Sequence, residues 1–518
     1  MNAFLLFKDR VIEDSLTDCR LKDDLELSRL IESMALEEGM GRPDPYIKET
    51  VSMVFSSGNL CRTKEDILYR QEILTDCIHN PEKIRRLYIL ISKCIEANRD
   101  TYLSITHKKA KFMLDVSVKT LLAMEKILKE VFRCAREMLP LCHSEGLCRL
   151  LNDLLLLFDP VHLDRMRSFA EDMSTKNGIT SAATLGKYFK ADGFHSCRNQ
   201  KVEKKGLLRF LSREKNCVEF DIDMNDPDVS PALSALRDDM VISSASVLVQ
   251  SKNELYEYFN ELKRELSFYI GCLNLKNELE KLGISVSMPK VCGKKPVPEK
   301  VLPADSGGIA FVSFKNLYNV SFSLQEKRAS VSNTIDCPGE KIIVITGSNQ
   351  GGKTTFLRSL GQALLMMNSG MFTASAAFEA CPGEVFSHFI REEDESLKSG
   401  KLDEELLRMN NIVDHITPGS WLLLNESFAS TNEEEGSEIA MEIISALHDH
   451  GIHIVYVTHF YHLTRLLMEA DPEGVLYLNA PRDESGGRSF RLEPGEPVVR
   501  GYGEDLYEEI FNIEGVTL

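Results

Sequence analysis

One run of residues constrains this chain more than any other: Gly347-Ser348-Asn349-Gln350-Gly351-Gly352-Lys353-Thr354. It fits the pattern G-x-x-x-x-G-K-[ST], and its context is the one the pattern needs. The β-branched run Ile342-Ile343-Val344-Ile345 precedes it and predicts a buried strand. Phe356, Leu357, Leu360, Leu364 and Leu365 follow at helical spacing. Glycines let backbone N–H groups turn inward around phosphate oxygens, and the helix N-terminus adds partial positive charge. Gly347 to Thr355 are therefore the expected phosphate-binding residues. Lys353 is expected to reach the β- and γ-phosphates of ATP, and the Thr354 hydroxyl to ligate Mg²⁺.

Two further strand ends belong to the same chemistry. Trp421-Leu422-Leu423-Leu424 runs into Asn425-Glu426, roughly 70 residues after the glycine-rich loop. In such ATPases a buried apolar strand ends in an acid that holds the Mg²⁺ environment, and a following Glu serves as general base. Here Glu426 fits the base, and Asn425 stands at the metal position, able to accept a hydrogen bond but carrying no charge. The strand His453-Ile454-Val455-Tyr456-Val457-Thr458 delivers His459 at its C-terminal end, where ligand groups of open α/β sheets collect. His459 is expected to sense the γ-phosphate or the attacking water.

Around this site the chain divides by period. The first 292 residues read mostly as helix, with segments 82–139 and 145–173 rich in Leu, Ile, Lys and Glu. Leu255, Phe259, Leu262, Leu266, Tyr269 and Leu273 recur at four- and three-residue steps, the seam of a long packed helix that is either a core stripe or a lever arm. Residues 174–235 differ: Asn177-Gly178, Asp192-Gly193 and Asp226-Pro227 are turn signals, and 217–222 alternates like a strand. Lys201, Lys204, Lys205, Arg209, Arg213 and Lys215 face only two acids there, either a nucleic-acid contact or a solvated face. A Pro/Lys/Gly-rich linker, 293–308, then gives way to short apolar strands alternating with helices over 309–518, the mark of an α/β layer. The expected fold class is thus a mostly helical N-terminal region followed by an α/β domain.

Composition sets outer limits. The 518 residues are enough for two to four domains, and 43% hydrophobic with 27% charged is ordinary for a globular protein. No window holds 18 uninterrupted apolar residues, and MNAFLLFKDRVIEDSL lacks a signal-peptide pattern. The 13 cysteines show no CxxC pair and fit reduced thiols in a cytoplasmic protein. A net charge of −18 neither suggests nor excludes nucleic acid, because binding depends on where basic groups cluster.

At these positions the chain resembles the MutS-type mismatch-repair ATPases. GSNQGGKTTFLRSLG, 347–361, is similar to that family's Walker A segment. NESFASTNEEEG, 425–436, resembles without gaps its Walker B strand end and the loop beyond. Glu426, Thr431 and Gly436 match, and Asn425 stands where the family has Asp. Thr458-His459-Phe460 resembles the family's Thr-His-aromatic switch. Gly370 and Phe372 match the segment after the loop helix, with Ala374 in place of Pro. Val331-Ser332-Asn333 resembles the stretch near the nucleotide base. The ABC-type signature, a looser match, is expected at Lys398-Ser399-Gly400-Lys401-Leu402, ahead of the helix DEELLRMNNIV. Similarity is specific over roughly 305–515 and only of kind over 50–290.

The resemblance implies a P-loop, ABC-type ATPase domain behind a helical core with lever arms. It implies a homodimer in which Ser399 and Gly400 complete the partner's site, and slow ATP hydrolysis coupled to binding DNA by shape and charge in repair or recombination. From its length, the chain is expected to lack the family's mismatch-reading and connector domains and the C-terminal Smr nuclease of one branch. Two other readings stay open: a ribosome- or RNA-acting relative, and a nucleotide-gated scaffold with little hydrolysis, which Asn425 keeps in play. The large helical region ahead of the loop disfavours an ABC transporter ATPase.

Overall fold

Apolar stripes at helical spacing over the first part of the chain, and apolar runs of four to six residues over the last, produce an α+β protein with mixed sheets. The structure, a computed structural model, describes residues 4–15, 18–36, 43–102, 110–173, 180–185, 191–197, 229–292, 310–339, 342–347, 350–390, 400–471, 474–481 and 489–497. In chain order the helices and strands are α1 (Cys19–Asp24), α2 (Leu27–Ala35), α3 (Pro45–Val54), α4 (Lys64–His79), α5 (Pro81–Tyr102), α6 (Ala110–Met138), α7 (Glu145–Leu157), α8 (Pro160–Asp172), β1 (Thr180–Leu185), β2 (Ala191–Cys197), α9 (Val229–Lys281) and β3 (Lys290–Val291). They continue with β4 (Ala310–Leu317), α10 (Val320–Glu326), β5 (Asn333–Pro338), β6 (Ile342–Gly347), α11 (Lys353–Asn368), β7 (Ala377–Ala380), β8 (Val385–Phe389), α12 (Lys401–Val413), β9 (Trp421–Asn425), α13 (Glu433–Asp449), β10 (His453–Val457), α14 (Tyr461–Ala470), β11 (Val475–Ala480) and β12 (Glu493–Pro494). Two compact units form: one of residues 1–3, 82–142 and 148–263, the other of residues 4–81, 143–147 and 264–518. No helix among the described residues is long and apolar enough to cross a membrane.

In the first unit, helix breaks follow local chemistry. The stretch 145–173 splits because Asp159 accepts N–H bonds from Val161 and His162 while Pro160 takes the first helical position. Leu114, Val118 and Leu121 of α6, Ala170 of α8 and Leu248 of α9 form a buried cluster, with Leu255 packed against it. The expected stripe on α9 is partly buried at Leu255 and fully inaccessible at Phe259 and Leu262, and beyond residue 263, in the second unit, at Leu266 and Tyr269. One turn signal is corrected. Asp192-Gly193 lies inside β2, antiparallel to β1, where Ala182 pairs with His195 and Thr184 with Asp192. Gly193 and Phe194 there oppose Ala183 alone, so glycine marks a β-bulge instead of a turn. The strand expected at 217–222, the basic stretch and the linker lie outside the described residues.

In the second unit, a six-stranded sheet runs β12-β11-β6-β10-β9-β8, parallel throughout except for β12. Its central strands are continuous apolar runs because both faces are covered. Met409 of α12, Ala440 and Ile444 of α13, and Leu463 and Leu467 of α14 bury one face against Val344, Leu422, Leu424, Ile454 and Tyr456. Truncating any of these large side chains to Ala should destabilise the unit by about 2–5 kcal/mol. A second, mixed sheet, β3-β7-β4-β5, was not foreseen strand by strand.

Arg70 of α4 fixes the second unit from within. It is fully buried, donates to the carbonyls of Leu6 (2.6 Å), Asn59 (3.0 Å) and Ser369 (3.3 Å), and stacks on the Phe7 ring at 4.3 Å. A Cβ on Gly370 would stand 2.3 Å from the Arg70 Cβ, and its φ is 74°, so only glycine fits just after α11.

Candidate functional site

Parallel register assembles the site. Val457 lies level with both Asn425 and Ile345, so β6, β9 and β10 end at one edge of the sheet. The β6 run ends at Gly347, whose φ is 117°; a Cβ there would come 2.9 Å from the Ala480 backbone nitrogen on β11. Gln350 and Gly351 lead to Gly352, which caps α11. Ser348 and Asn349 lie outside the described residues. Lys353 opens the helix with 5% of its surface exposed, and its Nζ donates to the Gly347 carbonyl at 2.8 Å. Burial pushes its ammonium down to about 8, against the opposing pull of Glu426.

Around Lys353 the structure gathers the other residues expected from the two strand ends. Thr354 Oγ1 donates to Asn425 Oδ1 at 3.0 Å. His459 Nε2 lies 2.9 Å from Glu426 Oε1 and 3.4 Å from Lys353 Nζ. The His459 hydrogen bond is the main reason the Glu426 carboxyl sits below its usual range; burial works against it and Lys353 helps. Glu426 itself adopts φ 55° and donates its N–H to the Val457 carbonyl at 2.8 Å. A lysine, a hydroxyl with an amide acceptor, and a carboxylate with an imidazole thus meet beside a helix N-terminus. That set can hold a polyphosphate, complete a cation's oxygen shell and orient a water.

A cavity of about 400 Å³ opens beside this cluster. Gln350 to Phe356 and Glu426 line one side, and Asn333, Val331, Phe322, Arg328 and Phe490 the other. Asn333 is buried, and its Oδ1 accepts the Leu492 N–H at 2.7 Å, which draws the segment around Phe490 against β5. Sequence reasoning found Val331 and Asn333 through the resemblance but missed Phe490, which has no local pattern to mark it. It also missed Asn319, whose Nδ2 donates to the Thr355 carbonyl at 2.9 Å. Gly400 is exposed at the start of α12 and does not line the cavity. Ser399 and the basic residues Lys201, Lys204, Lys205, Arg209 and Arg213 lie outside the described residues.

The family described as MutS2 N-terminal domain matches residues 62–282, and that described as MutS domain V matches residues 343–485. An endonuclease MutS2 of Thermus thermophilus is 31% identical over 140 residues, 27% of this chain and 17% of that protein. A DNA mismatch repair protein MutS of Methanococcoides burtonii is 29% identical over 136 residues, 26% of this chain and 15% of that protein. One of the same name from Streptococcus pneumoniae is 24% identical over 262 residues, 49% of this chain and 30% of that protein. The chain therefore matches less than a third of the length of these relatives. With two distinct MutS-type families matched in order along its length, and relatives of both kinds, this chain belongs to the MutS-related family.

Proposed function

We propose that this protein is a slow ATPase that couples nucleotide binding to gripping DNA, as a homodimer, in repair or recombination. One observation carries the reading: Lys353, Thr354, Asn425, Glu426 and His459 converge at the shared edge of three parallel strands beside a cavity large enough for a nucleotide. Residues 309–518 act as a P-loop, ABC-type ATPase domain, joined through 293–308 to a helical core and lever over 1–292. Lys353 pairs with phosphate oxygens, and the loop N–H groups at the start of α11 cradle them. Mg²⁺, when bound, neutralises phosphate charge, and the Thr354 hydroxyl and Asn425 amide would hold it. Among the described residues no group of three His, Cys, Asp or Glu could hold a metal by itself. The fit is therefore to a cation carried largely by the nucleotide. Glu426, kept deprotonated by His459, takes a proton from the attacking water, and His459 follows the γ-phosphate.

Asn425 supports the prefix "slow". Its amide accepts from Thr354 but adds no charge, which also favours a second reading, a nucleotide-gated scaffold with little turnover. DNA is the proposed partner because relatives of this chain are named for DNA mismatch repair. Lys201, Lys204, Lys205, Arg209 and Arg213 are the candidate phosphate contacts in a chain of net charge −18. Contacts of this kind position a protein without reading sequence.

The test is ATP hydrolysis with and without DNA, joined to a salt titration on matched, mismatched and four-way-junction DNA. Affinity should fall with a log–log slope of about −0.9 per phosphate neutralised, and replacing Lys204, Lys205 and Arg209 together should flatten it by about 2 to 3. A preference for mismatched over matched duplex refutes binding by shape and charge. No hydrolysis with ATP still bound supports the scaffold, and no DNA binding at low salt removes DNA as the partner.

A further inference from the structure

The loop that carries Glu426 is held in an unfavourable shape. Glu426 and Phe428 have φ of 55° and 67°, a region bulky side chains avoid. Such backbone persists only where its surroundings impose it. Three groups do so. The Glu426 N–H donates to the Val457 carbonyl. The Tyr456 hydroxyl donates to the Ser427 carbonyl. The Glu405 carboxylate accepts the Phe428 N–H and, at 2.6 Å, the Ser430 hydroxyl.

Glu405 is the one of these that comes from outside the sheet. It is buried, with 6% of its surface exposed, and sits on α12, the helix that begins just after Gly400. The same helix is fastened to β8. His388 Nε2 lies 3.1 Å from the Glu405 carbonyl, Arg408 Nη2 donates to the Phe389 carbonyl at 2.7 Å, and His388 Nδ1 meets Ser427 Oγ at 2.7 Å. Glu405 does not line the cavity at Lys353. A buried carboxylate whose two bonds both go to the loop after Glu426 has one evident effect: it fixes that loop to the position of α12.

We propose that Glu405 is a positioning residue, holding the 426–430 backbone so that the Glu426 carboxylate stays on His459 and faces the phosphate site, and tying that alignment to α12. This rests on the reading of Glu426 as the base. If it is right, a movement of α12 is felt at Glu426 of the same chain without any contact to nucleotide.

The experiment pairs hydrogen exchange with kinetics on the full chain and three variants, Glu405→Ala, Glu405→Gln and Glu405→Asp. Exchange over 425–430 should rise at least tenfold in Glu405→Ala while 342–347 is unchanged. The rate kcat should fall at least tenfold with KM and the affinity for a non-hydrolysable ATP analogue within twofold. Glu405→Gln keeps an acceptor at the right distance and should restore kcat to within about threefold. Glu405→Asp keeps the charge but is one methylene short and should not. Should Glu405→Ala fail to fold, the order of Gln over Asp decides alone. Asp outperforming Gln, unchanged exchange at 425–430, or a rise in KM and a loss of analogue affinity as large as the loss of kcat overturns the proposal. A wild-type protein that hydrolyses nothing removes the base assignment instead, and the exchange result still decides whether Glu405 holds the loop.

Discussion

Replacing Lys353 by Met should move stability and nucleotide affinity in opposite directions. Met keeps the apolar stem and removes the ammonium. Burial holds that ammonium down from 10.5 to about 8, which corresponds to roughly 3 kcal/mol against the charged form at neutral pH. Removing it also leaves the Gly347 carbonyl without this donor, a loss of about 1 kcal/mol. In the absence of nucleotide, Lys353→Met should therefore be about 2 kcal/mol more stable at pH 7. The sign depends on pH. Between about 8 and 10.5 the folded lysine gives up its proton while the unfolded one keeps it, so the parent regains stability as pH rises. The gap is thus full at pH 7, closes near pH 10 and reverses above it, where only the lost bond to Gly347 remains. ATP binding goes the other way: losing a charge-assisted contact to phosphate weakens it by about 2 kcal/mol or more, roughly 30-fold. Denaturant unfolding at pH 7 and 10, and equilibrium dialysis with ATP at pH 7, measure both. A variant less stable than the parent at pH 7, a gap that does not close with pH, or unchanged ATP affinity would refute the assignment of Lys353.

Two further variants test the strand end at β9. Glu426→Gln should retain ATP but lose hydrolysis by about 10²-fold or more, within the range for general-base loss; equal steady-state rates would mean that another residue takes the proton. Asn425→Asp adds a charged acceptor beside Thr354, and a charge-assisted bond exceeds a neutral one by about 1 kcal/mol. Its Mg²⁺ half-saturation should drop roughly fivefold in a hydrolysis titration, and an unchanged value would show that Asn425 stands outside the metal's surroundings.

Much of the site was legible because its groups sit at strand ends, where a short apolar run and the residue after it are read together. Asn425, Glu426 and His459 were read that way, Lys353 and Thr354 from the glycine-rich pattern between a strand and a helix, and the resemblance added Asn333. What stayed hidden depends on contacts between distant segments. Phe490 reaches the cavity through the bond between Leu492 and Asn333, separated by 159 residues. Glu405 looks like any other acid on an amphipathic helix until α12 is laid against the 426–430 loop. Arg70, a charged residue in the middle of a helix, reads as surface; only the fold brings three carbonyls to it. Asp192-Gly193 misled because a bulge and a turn use the same dipeptide.

The distances between these residues along the chain explain why a parallel sheet is required. Lys353, Asn425 and His459 are separated by helices that cross back over the sheet, so β6, β9 and β10 all run the same way and all end at one edge. An antiparallel arrangement would send alternate ends to opposite edges and part Glu426 from His459. A shift of one residue between β9 and β10 would be as damaging, because successive side chains face opposite sides of a strand. The register is in turn set by the buried runs Leu422-Leu423-Leu424 and Ile454-Val455-Tyr456-Val457, each of which is covered on both faces. Core packing in this unit therefore does more than stabilise it. It fixes, to within one residue, which side chain follows each strand into the site, and so substitutions in α13 or α14 that let β9 slip should harm Glu426 before they unfold the sheet.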